Sequence, residues 1–130
     1  MIFKINQKEK TAAVFRHSKE IEKVFIPRSI KHQNEEFIVT TILNAFNEDK
    51  TVETVQFDKN SELVTIGKSA FKNSSIKSIS IPSKVVKIEK EAFDNCVELK
   101  SVEFQEPSEL QFIGELAFNL ASIENIVIPS

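Results

Sequence analysis

Few side chains in this chain of 130 residues could do chemistry, and a thiol is the first to consider. Cys96 is the single cysteine, and a cysteine nucleophile needs a histidine beside it as a base. The two histidines, His17 and His32, both lie in the irregular first part of the chain, and the sequence suggests no third member of a triad. We therefore assign no catalytic residue and predict that the protein is not an enzyme.

Motifs for metals, phosphates and nucleic acids are also missing from the sequence. Two lone histidines, without a cluster of acidic residues at ligand spacing, predict no metal site and no cofactor. Gly67 and Gly114 are isolated, so neither belongs to a phosphate-binding loop. The formal net charge of −2 comes from 17 basic and 19 acidic residues scattered singly, which predicts no nucleic-acid partner.

The composition indicates one domain whose stability comes from packing. A single cysteine rules out an internal disulfide framework. No run of 18 apolar residues exists, so we expect no insertion into a membrane. The first ten residues lack the basic and apolar regions of an export signal, which predicts an intracellular protein if Met1 is the natural start.

The chain is built from internal repeats. The dipeptide Ala-Phe recurs with steps of 25, 22 and 25 residues between its phenylalanines, a period typical of leucine-rich repeats. Its four copies end at Phe46, Phe71, Phe93 and Phe118. An apolar triplet spaced i, i+3, i+5 follows each one: Val52/Val55/Phe57, Ile76/Ile79/Ile81, Leu99/Val102/Phe104 and Ile123/Ile126/Ile128.

These spacings predict the elements of one repeat. The last two triplet positions alternate with polar residues, as a half-buried strand requires. Ile66, Ala70 and Phe71 are four and five residues apart, which favours one face of a short helical turn. We therefore predict an α/β solenoid. Its right-handed superhelix carries a parallel β-sheet on the concave face and short helical turns on the convex face.

The region before the regular repeats is predicted to cap them. Two short strands, residues 3–5 and 11–15, form an N-terminal β-hairpin, and residues 30–39 form a second hairpin that turns at His-Gln-Asn-Glu. Between them, Ile21, Val24 and Ile26 give a degenerate first repeat. The organisation expected is one domain, residues 1–130. Residues 1–41 hold the cap and degenerate repeat, and residues 42–130 hold the regular repeats.

The repeat pattern resembles a known family. Ile66, Gly67, Ala70, Phe71, Ser74, Ile76, Ile79, Ile81 and Pro82 follow a motif similar to that of the BspA-like leucine-rich repeat proteins. Residues 88–104 carry the motif again, with Cys96 at the position where the family usually has cysteine. The resemblance implies protein binding, adhesion and a cell-surface or secreted location, and it supplies no catalytic residues.

Alignment of the repeats also predicts what lies inside. Cys96 falls where Asp49, Ser74 and Ala121 stand in the other repeats, so we expect it to be a small buried residue. The column of repeat phenylalanines is expected to stack in the interior, because a repeat must bury a large residue against its neighbour.

The concave face is the predicted binding surface, because strand residues beside the inward ones point outward. Its ten candidates are mostly small and polar: Lys23, Phe25, Thr54, Gln56, Ser78, Ser80, Ser101, Glu103, Asn125 and Val127. We predict a non-enzymatic protein-protein interaction module, with another protein or a second copy as partner. Two alternatives stay open: a structural component of a larger assembly, and a fragment of a cell-surface adhesin or antigen.

The C-terminal end is a second candidate surface. The last predicted strand is followed by Pro129 and Ser130, and no segment resembles a cap. The layer with Phe118 and Ile123 is therefore expected to need cover from a second copy, another protein or further repeats.

Overall fold

A computed structural model describes residues 1–17 and 20–129 of the chain. Twelve β-strands, and no helix, occur in these residues. Their bounds are β1 Ile2–Asn6, β2 Thr11–Arg16, β3 Lys23–Ile26, β4 Ser29–His32, β5 Glu35–Ile42, β6 Thr54–Phe57, β7 Thr65–Ile66, β8 Ser78–Ile81, β9 Lys87–Ile88, β10 Ser101–Phe104, β11 Phe112–Ile113 and β12 Asn125–Ile126.

The strands form two sheets that together make a β-solenoid. A five-stranded sheet has the order β12-β10-β8-β6-β3, and all of its neighbours run parallel. A seven-stranded sheet has the order β1-β2-β5-β7-β9-β11, with β4 added beside β5. The chain alternates between the sheets, so each turn of the solenoid, here called a rung, contributes one strand to the five-stranded sheet. The predicted parallel sheet is confirmed.

Both predicted hairpins are confirmed. β1 pairs antiparallel with β2 and forms one edge of the seven-stranded sheet. β4 pairs antiparallel with β5, and the turn between them places Gln33 and Asn34 at φ 52° and 64°. Two successive positive φ values match the twist of a tight hairpin, and asparagine tolerates them well. The division of the domain at residues 41 and 42 stays a prediction.

The core lies between the two sheets, and its residues are those that the triplets predict. Val55 and Phe57, like the matching pairs on β8 and β10, are buried, while the residues between them face out. The first and last triplets are exceptions, because Ile21, Ile126 and Ile128 are exposed rather than buried. The rung of Ile21 is the degenerate first repeat, and only Val24 and Ile26 of its triplet belong to the core.

The repeat phenylalanines form a continuous stack, as predicted. Ring centroids are 4.9 Å apart for Phe46 and Phe71, 5.0 Å for Phe71 and Phe93, and 5.1 Å for Phe93 and Phe118, with nearly parallel planes. These distances match the separation of neighbouring strands in a sheet, so rung spacing sets the stacking distance. The imidazole of His17 continues the stack, with its centroid 5.1 Å from that of Phe46.

The segments that carry these phenylalanines are not the helical turns that the sequence predicts. Ser69 and Asn73 have φ of 57° and 60°, and the equivalent positions of the next rungs repeat this left-handed conformation. A right-handed helix cannot continue through such residues. Backbone donors bond the next rung instead: Phe71 N–H donates to Ala92 O at 2.7 Å, and Phe93 N–H to Ala117 O at 2.7 Å.

The two glycines serve this close stacking of rungs. A Cβ at Gly67 would lie 2.6 Å from the carbonyl oxygen of Ile42, and one at Gly114 would lie 2.4 Å from the backbone nitrogen of Lys90. Both contacts are with backbone atoms, which cannot move aside cheaply. Glycine is therefore needed at these positions for packing.

Candidate protein-binding surface

The outer face of the five-stranded sheet carries all ten predicted binding residues on β3, β6, β8, β10 and β12 or directly beside them. Strand register aligns one row of them, since Lys23 pairs with Thr54, Thr54 with Ser78, Ser78 with Ser101, and Ser101 with Asn125. A second row contains the pairs Phe25 with Gln56 and Ser80 with Glu103. Val127 follows β12 directly.

Short polar side chains cover the middle of this face, and apolar ones lie at its two ends. Phe25 is 54% exposed and Val127 is 79% exposed, which agrees with their predicted position. Between them, the Gln105 side-chain amide donates to Ser80 Oγ at 3.1 Å. The middle of the face is therefore covered by short polar side chains.

Two shallow grooves run along the face. One of about 410 Å³ is bordered by Thr54, Gln56, Ser78, Ser80 and Gln105. The other, of about 480 Å³, lies at the β12 end and contains Glu103, Glu106 and Glu124 beside Ile126 and Val127. The second groove thus combines carboxylates with apolar surface, whereas the first is mostly uncharged.

One ion pair borders the face beside β6 and β8. Lys77 Nζ lies 3.1 Å from Glu53 Oε1, and each of these residues immediately precedes its strand. The hydrogen bond to Glu53 raises the pKa of the Lys77 ammonium above its usual value. Both groups are exposed to solvent, so the pair contributes little to folding and leaves a charged rim beside the uncharged middle.

The side chains that could do chemistry lie elsewhere, and the structure separates them. Cys96 is buried, as predicted; its Sγ–H donates to Phe71 O at 2.9 Å, and Ser74 Oγ lies 3.7 Å from the sulfur. Burial raises the pKa of this thiol. The rings of Phe46 and Phe71 stand between His17 and the rung of Cys96, so these two residues cannot act together.

His17 has a structural position that the sequence reasoning missed. Its side chain is almost fully buried, and Nδ1 lies 3.1 Å from Asp49 Oδ2. Asp49 Oδ1 accepts hydrogen bonds from the backbone N–H groups of Thr51 and Val52. A spacing in the sequence could have indicated this position. His17 precedes Ile21, the first residue of its triplet, by four residues, and Phe71 precedes Ile76, the first residue of the equivalent triplet, by five.

The described residues contain neither a metal-binding cluster nor a membrane-spanning helix. Across residues 1–17 and 20–129, no three or more His, Cys, Asp or Glu side chains are grouped so that they could hold a metal ion. Over the same residues, no helix is long and apolar enough to cross a membrane.

Parallel strands stacked in rungs, with an internal phenylalanine ladder and a polar outer sheet face, define a β-solenoid repeat protein. The sequence belongs to the family described as the BspA type leucine rich repeat region, which matches six copies over residues 11–130. This confirms the resemblance noted in the sequence and extends it into the N-terminal hairpin. No curated protein sequence matches the chain.

Solved structures of other leucine-rich repeat proteins are similar to this fold. A leucine-rich repeat protein from Bacteroides ovatus aligns with a TM-score of 0.81 at 26% identity, over 98% of this chain and 33% of that chain. One from Bacteroides capillosus aligns with a TM-score of 0.61 at 26% identity, over 98% and 77%. A leucine rich cell surface protein from Faecalibacterium prausnitzii aligns with a TM-score of 0.58 at 19% identity, over 94% and 53%. The chain thus spans a third of the first protein and about three quarters of the second.

Proposed function

We propose that the protein is a non-enzymatic interaction module that binds another protein through the outer face of its five-stranded sheet. The observation that carries this proposal is the pair of aligned rows of short polar side chains across β3, β6, β8 and β10. An interaction surface needs accessible backbone and side chains without a competing internal role. Gln56 meets this condition, because it is exposed and lies outside the core, whereas the Ser80 hydroxyl accepts a hydrogen bond from the Gln105 side chain.

Location at the cell surface, as an adhesin or antigen, is the second candidate. It is favoured by the similarity to the Faecalibacterium prausnitzii structure, whose printed name is that of a cell surface protein.

Affinity recovery with matched variants tests the proposal. The immobilised protein is compared with a Gln56→Arg, Ser80→Arg variant, in which two long cations project from the middle of the outer face. Thr65→Arg on β7 of the other sheet is the control. We expect the face variant to recover the partner at least tenfold less well, about 1.4 kcal/mol of binding free energy, and the control to recover it normally.

The end residues are tested in the same experiment. Glu103→Lys, and separately Phe25→Ala with Val127→Ala, should also weaken recovery while changing the free energy of unfolding by no more than about 0.5 kcal/mol. If none of these changes reduces recovery of the partner, binding occurs on another surface and the proposal is contradicted.

A further inference from the structure

The outer face of the seven-stranded sheet carries a groove that the proposed function does not use. Its volume is about 750 Å³, and residues of β1, β2, β5 and β7 border it, together with one residue directly after β9. Four of these strands, β2, β5, β7 and β9, each lie between two other strands of the sheet. The groove is therefore on the side of the array and does not depend on either end of the array being uncovered.

Strand pairing aligns one row of residues across this face. The row crosses five strands, and its successive partners are Lys4, Ala13, Thr41, Thr65 and Lys87. Neighbouring strands lie about 4.8 Å apart, so the backbones of the two lysines stand roughly 19 Å apart across the sheet. Between them, Thr41 and Thr65 border the groove. The row thus has a cation at each end and short polar side chains in its middle.

Lysines on this face lack carboxylate partners. Among the described residues, four lysines border the groove or the hollow that adjoins it: Lys4, Lys68, Lys87 and Lys90. None of the four makes an ion pair with any residue that the structure describes. Glu89 in the groove and Glu115 in the hollow are the carboxylates on the same borders. Positive charge is therefore in excess.

Phe15 holds two cations at one end of the groove. Lys4 Nζ lies 4.3 Å from the centroid of the Phe15 ring, and Arg16 Cζ lies 5.4 Å from it. The ring attracts both cations, which keep their charge. Because this aromatic ring on the border of the groove already contacts cations, the groove favours anionic side chains over a sugar or a base that would stack on the ring.

We propose that this groove binds an extended acidic segment of another protein, whose carboxylates face Lys4 and Lys87 at the two ends of the row. An extended segment rises about 3.3 Å per residue and points alternate side chains to one side, so about seven residues span the row. Thr41 and Thr65 border the groove, and their hydroxyls donate to backbone carbonyl oxygens of the segment. This surface is on the sheet opposite to the proposed binding face, so the inference goes beyond the proposed function.

Two synthetic heptapeptides test the preference for negative charge. The acidic probe carries glutamate at its first, third, fifth and seventh positions, with serine or threonine between them and both ends blocked. The matched neutral probe has glutamine in place of every glutamate.

Titration calorimetry with the whole protein at low salt should give about tenfold tighter binding of the acidic probe than of the neutral one. Added salt should weaken binding of the acidic probe, because it screens charges at the surface. Equal binding of the two probes, or no binding of either, would overturn the proposal.

Variants of the protein locate the binding. Lys4→Gln with Lys87→Gln should weaken binding of the acidic probe about tenfold, because the row loses the charge at both ends. Glu89→Gln should strengthen binding, since it removes a carboxylate from the groove. Lys59→Gln with Lys100→Gln is the control, because both lysines are exposed and neither borders the groove or the adjoining hollow. A loss in the control as large as that in the first variant, or no loss in the first variant, would overturn the proposal.

A uronic acid oligosaccharide separates a protein segment from an anionic glycan as the occupant. It presents regularly spaced carboxylates on a chain of sugar rings, without the amide groups of a peptide. With the same number of carboxylates, it should bind clearly more weakly than the acidic probe. Equal or tighter binding of the oligosaccharide would overturn the assignment of a protein segment to this groove.

Discussion

At the scale of single residues, Cys96 shows how packing removes reactivity from a nucleophilic side chain. Its sulfur is buried, donates to the Phe71 carbonyl oxygen and lies near the Ser74 hydroxyl. Burial in apolar surroundings disfavours the thiolate, which is the reactive form. The equivalent positions of the other rungs hold Asp49, Ser74 and Ala121, so the position requires a small side chain rather than a thiol.

We therefore expect slow modification of Cys96 by a thiol reagent in the native protein and fast modification after denaturation. Cys96→Ser keeps a donor for Phe71 O, whereas Cys96→Ala removes it and should destabilise the fold by about 1 kcal/mol relative to serine. Labelling kinetics and urea unfolding measure the two effects. Native labelling as fast as that of a free thiol would contradict the observed burial.

Leu120 is a second residue whose conformation makes a specific prediction. Its φ is 61°, in the left-handed region, where the two preceding rungs have Asn73 and Asn95. A branched apolar residue is strained there, and asparagine tolerates this conformation. Leu120→Asn should therefore stabilise the protein by about 0.5–1 kcal/mol in urea unfolding.

Val97→Asn is the control for that substitution. Val97 is also an exposed apolar residue, but its φ is not positive. It should give no comparable gain in stability. Equal gains from both substitutions would mean that loss of exposed apolar surface, and not relief of backbone strain, is the cause.

At the scale of elements, the phenylalanine stack connects every regular rung to its neighbour. An inner ring such as that of Phe71 is stacked on both faces, by Phe46 and Phe93. Phe118 is stacked on Phe93 alone and is partly exposed. The contribution of a ring to stability should therefore depend on its place in the stack.

Phe71→Ala should lower the free energy of unfolding by roughly 3–5 kcal/mol, the range for emptying a buried phenylalanine site. Phe118→Ala should lower the free energy of unfolding by clearly less, because the Phe118 ring has one stacked face and less buried surface. Phe112→Ala, at an exposed strand position, is the control and should change stability only slightly. Equal costs at Phe71 and Phe118 would contradict this account of the stack.

At the scale of the whole molecule, a solenoid has no central core that all parts share. Each rung contacts only the rungs beside it, so local stability depends on having neighbours on both sides. The N-terminal end has hairpins over its core, whereas Ile113, Ile126 and Ile128 at the other end are exposed. Stability should therefore decrease along the array toward β12.

Native-state hydrogen exchange measures this gradient. Amides in β6 and β8, which have rungs on both sides, should exchange more slowly than those in β12. Uniform protection across all rungs of the free protein would contradict the gradient.

Much of the architecture could be derived from local spacing. The Ala-Phe period determined the repeat register, and the alternation after each phenylalanine identified which residues of β6, β8 and β10 face the core. Both hairpins followed from polar turns between apolar runs, confirmed as β1 with β2 and β4 with β5. Such features depend on residues close together in the chain, where period and turn chemistry act directly.

The tertiary structure decided what depends on contacts between rungs. Apolar residues four and five apart fit either a helical turn or a bend between two solenoid strands. Hydrogen bonds from one rung to the next, together with the positive φ of Ser69 and Asn73, give the bend. The place of His17 on the stack and the gathering of Glu103, Glu106 and Glu124 in one groove likewise require the rungs to be stacked. Residues about 20 apart in the sequence become neighbours only when the rungs stack, so no local sequence pattern predicts the contacts between them.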